Sequence, residues 1–407
     1  MANVANVYTN LLELMFAQAI ARLRKRCIMP RVCRNFSDAL AGKRGQVITV
    51  PKTTTGMTAA AAVTSADVYA DPGALTYGYA QITLDQWIHA GFTLDDQEIT
   101  EIVATSGIPV GLENAVDLVV NHVDAYLMAL YTGIANAGLS KATTATSFAM
   151  PAAFVVDATH NPAPGLKAFL DARALMVDRG VPLDGWAGIV SAFDESDMLG
   201  LPIFSQAEQR GDQGGVIQGF IGHKFGVDWY VDQNVPTHTC GTYMDDVDAI
   251  AHTDAVEPVG ETSILIDSTN TAGAETLLIG DIVRFDNHPQ TYTITANTTI
   301  AGADGTATIT ISPGLRAATV AGTTNVHVVR SHKVNLLLQK DAIGFASRPL
   351  ADVAPEGNFI QMVDPISGLS VRLEMFRQYK RTIFDIDVLY GATLLDETRA
   401  ARIMSII

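Results

Sequence analysis

The spacing of apolar positions changes several times along the chain, and each change marks an element. Over residues 9–26, Leu12, Met15, Phe16, Ile20 and Leu23 recur at three- and four-residue steps, the stripe of an amphipathic helix. Arg22, Arg24, Lys25 and Arg26 crowd its C-terminal end, where cations suit the helix dipole, and Pro30 marks the stop. The same cluster suits an arm that reaches an acidic partner, a neighbouring subunit or nucleic acid. Val47, Ile48 and Val50 then open a strand, and a second returns from Tyr77 and Tyr79 through Ile82 to Leu94. The Thr, Ala and Gly stretch from Thr53 to Ala66 has little to bury. Two long strands with such a tip form a hairpin that is not stable alone, so it needs its own domain or a neighbour to lie on; a flexible loop is the alternative.

From Pro109 to Ala135 the helical period returns, with Val116, Val119, Val120, Val123, Leu127 and Leu130 in one stripe. At about 1.5 Å per residue this helix is on the order of 40 Å long, which suits a spine that other elements cross. A helix after NPAPG places Leu166, Phe169, Leu170, Ala174 and Val177 on one face and stops at Gly180. Residues 186–200 predict strand, turn and short helix, with Ser191 as its cap or Asp194 in its first turn. One or two strands follow over 219–242. Helices alternating with strands describe a compact α/β region.

Between about His252 and Ser331 the pattern is purely β. The runs SILIDS, LLIGDIVRF, TYTITA, TATITIS and NVHVV are separated by turn residues at Asn270, Gly280, Asp304–Gly305 and Pro313–Gly314. That is the pattern of a small sandwich or barrel. A module of about 80 residues can close its own core, and it inserts into a surface loop if its ends lie together. The earlier style then resumes. Val371, Leu373 and Met375 alternate, strands run to Tyr390–Gly391, and Asp396 to Ile403 predicts a short terminal helix.

Composition sharpens the picture. Of 407 residues, 48% are hydrophobic and only 17% charged, against roughly 25% charged in an average soluble protein. Interface cores are depleted of charge, so extensive subunit contacts explain this, with a large, well-buried monomer as the alternative. The net charge of −16 argues against a protein whose main task is gripping nucleic-acid phosphates. It is compatible with one that lines a space filled with nucleic acid, where repulsion keeps the polymer off the wall. Cys27, Cys33 and Cys240 are odd in number and sparse, as expected of free thiols in a reducing compartment. The N-terminal charges follow the apolar part, the reverse of a secretory leader, and no apolar run approaches the ~20 residues of a membrane span. Synthesis in a cytoplasm is expected.

Motifs that carry chemistry are sparse. The sequence holds no phosphate-binding GxxxxGK[ST], no GxGxxG after a strand, no HExxH and no GxSxG. Asp245, Asp246 and Asp248 precede His252 but lack calcium-loop spacing, and read as a solvated acidic turn. His238, Cys240 and His252 are too scattered for a zinc site and read as loop and packing residues. Arg210-Gly211-Asp212 matches an adhesion tripeptide at a length that chance explains. Asp385 and Asp387, two apart on a strand, face one side and read as an edge-strand device against stray pairing. No catalytic residue, cofactor or metal is expected.

A series of longer segments is more specific in its order: IMPRVCRNF (28–36), GQVITVPK (45–52), LDQWIHAGFTLDDQEI (84–99), VPTHTCGT (235–242), GDIVRF (280–285), ATITISP (307–313), NLLLQKDAIGFASRPL (335–350), DPISGLSVRL (364–373) and DIDVLYGATLLDETRAARI (385–403). Together they resemble the major capsid (coat) proteins of tailed double-stranded DNA phages, in particular the short-tailed-phage type with an inserted β-domain. The resemblance covers nearly the whole chain; Gln46 departs from it, standing where the pattern has an acidic residue. It implies an α+β tailed-phage capsid fold: an N-terminal arm (1–44), an extended loop formed by a β-hairpin (45–94), a peripheral domain with a long spine helix (95–185), an axial domain (186–251), an inserted small β-barrel domain (252–331), and a C-terminal return to the axial and peripheral domains (332–407). It implies a shell of pentamers and hexamers, a scaffolding protein and a portal as partners, a possible decoration protein, and packaged double-stranded DNA held without sequence-specific binding. No membrane is involved, and the location is the virion capsid after assembly in the host cytoplasm. Arg22, Arg26, Arg31, Lys52, Tyr77, Tyr79, Trp87, Asp245 and Asp246 are the subunit-interface candidates. Some relatives crosslink through a Lys and an Asn; Lys52 lies near the corresponding loop, but no partner is identifiable and no crosslink is predicted. The rival expectations are an encapsulin-like nanocompartment shell, an enzyme with a β accessory domain and a secreted adhesin.

Overall fold

The computed structural model describes residues 4–37, 47–55, 76–105, 110–137, 164–201, 221–243, 251–268, 274–286, 288, 290–301, 305–322, 324–329, 331–350 and 359–405. They divide into two compact units, Met1–Lys25 with Arg34–Val119 and Ile343–Leu395, and Arg26–Cys33 with Val120–Ala342 and Asp396–Ile407.

The first unit is built on helix α1 (Val4–Arg26) and a sheet with the order β1 (Arg34–Asn35), β18 (Ile343–Ser347), β21 (Arg381–Leu394), β20 (Ser370–Gln378), β19 (Phe359–Val363), with β4 (Gln86–Asp95) also on β21. α1 buries Met15, Phe16, Ala19, Ile20 and Leu23, the expected stripe, while the Leu12 side chain lies outside the described residues. It ends at Arg26, and Pro30 begins a new turn, α2 (Met29–Val32), where its missing N–H costs nothing. In β21, Phe384, Ile386, Val388 and Tyr390 alternate inward, while Asp385 and Asp387 share the other face. β21 is hydrogen-bonded on both sides, to β20 and β4, so the edge-strand expectation for these two aspartates is overturned. A cross-strand arginine, described below, makes a carboxylate tolerable in that central position.

β2 (Val47–Thr55) and β3 (Thr76–Thr83) form the expected hairpin. The strand read from Tyr77 to Leu94 is two strands: β3 stops at Thr83, and β4 leaves it to pair with β21 from Gln86 onward. Leu84, 2% exposed, packs at the break with Ile48, Ile82 and Ala346. A period of two is common to both strands and does not say which partner each takes. α3 (Asp96–Thr105) follows, and then the spine helix α4 (Val110–Met128), which buries Leu112, Val116 and Val119 in this unit.

The second unit begins with the rest of α4, where Val120, Val123 and Leu127 are buried and a 3-10 turn continues the helix over Ala129–Gly133. Its sheet has the order β22 (Ala400–Ser405), β17 (His332–Gln339), β5 (Trp186–Val190), β7 (Val227–Val231), β6 (His223–Lys224), with β8 (Thr237–His238) also on β17. Leu336, Leu337 and Leu338 are all buried, as both faces of β17 are covered. α5 (Pro164–Asp178) buries Phe169, Ala172 and Met176, not the expected stripe: Leu170 and Val177 are 40% and 42% exposed. Phe169 sets this rotation, its ring lying 5.0 Å from Trp229 and 5.8 Å from Phe225. α6 (Ala192–Gly200) is capped as expected, the Ser191 hydroxyl accepting the Asp194 N–H at 3.2 Å.

The β region closes into a barrel of β9 (Ala251–Thr253), β10 (Ser263–Ser268), β12 (Ile282–Phe285), β13 (Tyr292–Ile294), β15 (Thr306–Ser312) and β16 (Asn325–Val328), in the order β10-β15-β13-β12-β16-β9, with β9 returning to β10. A small ribbon of β11 (Glu275–Leu277) and β14 (Thr298–Ile300) accompanies it. Ile264, Ile266, Val283, Phe285, Tyr292, Ile294, Ile309 and Val326 fill the interior. The strands flanking the barrel in sequence pair with each other, His238 opposite His332 and Thr237 opposite Lys333. The chain thus leaves and re-enters one sheet at one place, the geometry an insertion requires.

The expected terminal helix over Asp396–Ile403 is corrected. Only Glu397–Arg399 forms a 3-10 turn, capped by Asp396, and Ala400–Ser405 is a strand with all six residues buried along β17. So short an apolar run is ambiguous between helix and strand, and the free side of β17 decides it.

Candidate functional site

Among the described residues, the hairpin is held at its base. Ile48 and Ile82 face each other and are 2% and 0% exposed. The next pair on that face, Val50 and Ala80, is half-buried, and in the pair beyond, Lys52 opposite Gly78, the lysine is exposed. On the other face Val47, Pro51 and Tyr79 are exposed, Tyr79 at 66%. Tyr77 pairs with Thr53 on that face, and its side chain lies outside the described residues. Two glycines seat the base. A Cβ on Gly391 would lie 1.9 Å from the Thr83 carbonyl oxygen, and one on Gly344 would lie 2.8 Å from the Ile82 side chain. Bare backbone is what lets the hairpin approach β21 and β18 this closely.

The basic end of α1 is engaged within its own chain. Arg22 forms a fork with Asp117 of α4, Nε to Oδ1 at 2.9 Å and Nη2 to Oδ2 at 2.8 Å, and also meets Glu113. Its ion pairs hold the guanidinium well above the usual arginine range. Arg24 donates to Asp364 at 2.5 Å; against burial, which raises it, the Ser367 hydroxyl and amide, followed by Arg24, keep the Asp364 carboxyl below the usual range. Arg26 and Arg31 are exposed. Asp245 and Asp246 lie outside the described residues.

Trp87 stands on the polar face of the first sheet. Its ring is 66% exposed, while its indole N–H points to Asp387 Oδ2 at 3.4 Å. Asp387 is gripped bidentately by Arg372, at 3.0 Å and 2.6 Å, and His89 lies 3.2 Å from Asp385. Asp387 raises the Arg372 pKa. The geometry makes this a rigid charged ladder with an aromatic at its rim.

The barrel is joined to its host sheet by a buried polar seam. His238 Nε2 donates to Asp281 Oδ1 at 2.8 Å, and its Nδ1 lies 3.0 Å from the Tyr131 hydroxyl. The other Asp281 oxygen accepts the amides of Leu278 (2.7 Å) and Gly241 (3.2 Å). Arg402 of β22 is fully buried beside them; Nη1 donates to the Gly280 carbonyl at 2.7 Å, and Nη2 to the Thr132 carbonyl at 3.2 Å and the Thr293 hydroxyl at 3.3 Å. The guanidinium also sits 5.0 Å from the Tyr131 ring centre. Burial pushes Arg402 down to about 9, which leaves it charged at neutral pH. The Tyr–His–Asp order is that of a proton relay, but His238 is 3% and Asp281 0% exposed, so no substrate reaches it.

His238 is therefore oriented by Asp281 and Tyr131, and Cys240 Sγ lies 3.3 Å from the Ser331 hydroxyl; the His252 side chain lies outside the described residues. Among the described residues no group of three His, Cys, Asp or Glu is placed to hold a metal ion, and no helix is long and apolar enough to cross a membrane. Sequence reasoning missed several exposed apolar side chains: Phe193 (77%), Val110 (71%), Leu118 (65%) and Tyr379 (86%). They fall singly on otherwise polar faces and leave no periodic trace. It also missed Arg402, whose one sequence signal is a lone cation inside the apolar run Ala400–Met404.

No protein-family model matches the chain, and no curated protein matches it. Solved structures are similar to it along most of its length at low identity. One is of Mycobacterium phage Che8, with 11% identity over 93% of this chain and 90% of that chain and a TM-score of 0.47. The capsid structure of the cyanophage P-SCSP1u has 12% identity over 92% and 87%, with a TM-score of 0.47. A virus-like particle from Pyrococcus furiosus has 10% identity over 96% and 98%, with a TM-score of 0.37.

Proposed function

We propose that this chain is the major capsid subunit of a tailed double-stranded DNA phage, a structural protein whose copies form the pentamers and hexamers of an icosahedral shell around the genome. The observation that carries this reading is the β2–β3 hairpin, fixed at Ile48 and Ile82 while Val47, Pro51 and Tyr79 face outward. Such a ribbon gains its stability from a surface it lies on. Covering one large apolar side chain contributes about 1.5–3 kcal/mol, so a few per subunit, repeated around rings that close, hold a shell. Residues 45–94 are then the extended loop that overlaps a neighbour, with its last strand, β4, returning along β21, residues 1–44 the arm, α4 the spine, and the barrel the inserted domain.

Scaffolding protein and portal are the expected partners, with a decoration protein as a further candidate on the outer surface. The net charge of −16 supports an interior that repels DNA and encloses it without sequence-specific contacts. Assembly takes place in the host cytoplasm and the product is the virion capsid.

Electron microscopy and light scattering on the purified recombinant chain test this. Hollow uniform shells, or rings of five and six, are expected. A monodisperse monomer at low and high concentration, with and without a co-expressed scaffold, overturns the proposal. Shells that co-purify with a cargo enzyme transfer it to a nanocompartment.

A further inference from the structure

One cavity of the second unit, about 410 Å³ in volume, lies between α5 and the barrel. From α5 come Asp171, Ala174, Leu175 and Asp178; from the barrel and its connections come Arg284, His288, Gln290 and Arg316. Ala174, Asp178 and Arg316 are exposed, so the cavity opens to water. Small-molecule sites run from about 300 to 1,000 Å³, and this one has room for more than a lone inorganic ion.

Its lining holds donors that lack acceptors. Arg284, half-buried in β12, has no hydrogen bond or ion pair among the described residues. His288 is 4% exposed. Its Nδ1 lies 2.8 Å from the Tyr292 hydroxyl, and that hydroxyl already accepts the Arg316 amide at 3.1 Å. The hydroxyl proton therefore goes to Nδ1, the ring's own proton sits on Nε2, and Nε2 has no partner among the described residues. Burial lowers the His288 pKa, which keeps the ring neutral at pH 7 in this tautomer. Next to them, Arg179 donates through Nη2 to Gln290 Oε1 at 3.0 Å, and its Nη1 is buried without a partner. Burial pushes Arg179 below the usual arginine range; Arg316 pushes the same way, against Glu397, Tyr292 and Asp178. Arg316 pairs with Asp178 at 2.5 Å, both exposed and screened by water. Arg179, Arg284 and Arg316 thus stand against Asp171, Asp178 and Glu397, so the site is balanced in charge and rich in unmet donors.

We propose that this cavity is a binding site for a small organic molecule carrying a carboxylate or phosphate group, whose oxygens accept from Arg284 and from His288 Nε2 while its body lies on Ala137, Ala174 and Leu175. Both groups are acceptor-only oxyanions, the match for a planar guanidinium with paired N–H donors. The walls belong to α5 and to the barrel, so a bound molecule ties the inserted module to its host and stabilises that joint by mass action. The site does not rest on the capsid reading.

Isothermal titration of the purified full chain with benzoate, phenyl phosphate and neutral benzamide tests the site. At least one of the two anions is expected to bind with a Kd below about 1 mM. Whichever anion binds more tightly tells a carboxylate ligand from a phosphate one. Benzamide should bind roughly tenfold or more weakly than that anion, because bonds to a charged acceptor are the stronger ones. Arg284→Met removes a side chain with no partner to lose; it should keep the parental melting temperature and weaken anion binding roughly tenfold or more. Failure of both anions to bind below about 1 mM, equal binding of benzamide, or undiminished binding by Arg284→Met overturns the proposal. If Arg284→Met does not fold, the comparison of the anions with benzamide decides.

Discussion

Arg402, in β22, donates to the carbonyl oxygen of Gly280 at 2.7 Å, two residues before β12 of the barrel begins. The bond crosses from the host sheet to the inserted module, and the Thr132 carbonyl shares the same guanidinium. Gly280 sits there at φ +94, a conformation that favours glycine, with Thr132 and His238 atoms within 3.3 Å of where a Cβ would be. The barrel is thus fixed by a buried charge surrounded by carbonyls and an aromatic ring rather than by an apolar interface alone.

Arg402→Ala should strand the buried Gly280 carbonyl, leave the Thr132 carbonyl with the Thr293 hydroxyl as donor, and open a cavity. The unmet acceptor costs about 1–3 kcal/mol and the cavity adds to it, so a loss of about 3 kcal/mol is expected. Chemical denaturation followed through tryptophan fluorescence measures it. A change within experimental error would show that the seam carries little of the joint.

Gly391→Ala places a Cβ 1.9 Å from the Thr83 carbonyl oxygen, a backbone atom that cannot step aside on its own. Overpacking of this kind costs about 1–3 kcal/mol. The strain falls on the hairpin base, so exchange of the Ile48 and Ile82 amides should accelerate while barrel amides such as Ile309 keep their protection.

Tyr79→Ala separates folding from assembly. The side chain is 66% exposed, so the isolated subunit should keep its stability within about 0.5 kcal/mol. If the hairpin face is covered by a neighbour, the critical concentration for shell formation rises roughly 10- to 100-fold, the equivalent of about 1.5–3 kcal/mol per contact. Assembly at the parental concentration would remove this face from the interface.

Asp387→Ala and Arg377→Ala contrast two ion pairs of one sheet. Asp387 and Arg372 have side chains only 6% and 11% exposed, so removing the carboxylate takes the bidentate partner from a buried guanidinium, which keeps Glu374 at 3.4 Å, and should cost about 3 kcal/mol. Arg377 and Asp96 are 62% and 44% exposed, and losing that pair should cost less than about 1 kcal/mol. Thermal unfolding of the two variants side by side tests the order.

Much of this architecture was already legible in residue order. The buried stripe of α1, the spine helix, the Ser191 cap and the β module follow from periods of 3.6 and 2, because side-chain direction repeats with the backbone. What the periods left open was partnership. Leu170 and Val177 are as apolar as Phe169 and Met176, and only the rings of Trp229 and Phe225 decide which face of α5 turns inward. Ala400–Ser405 became a strand because β17 had a side to pair with, and Asp385 and Asp387 proved central because β4 arrives from nearly 300 residues away. Asp281 and Arg402 look in sequence like ordinary surface charges. Their burial depends on which distant backbone amides and carbonyls reach them, and a local pattern carries no information about atoms brought near only when the whole chain has packed.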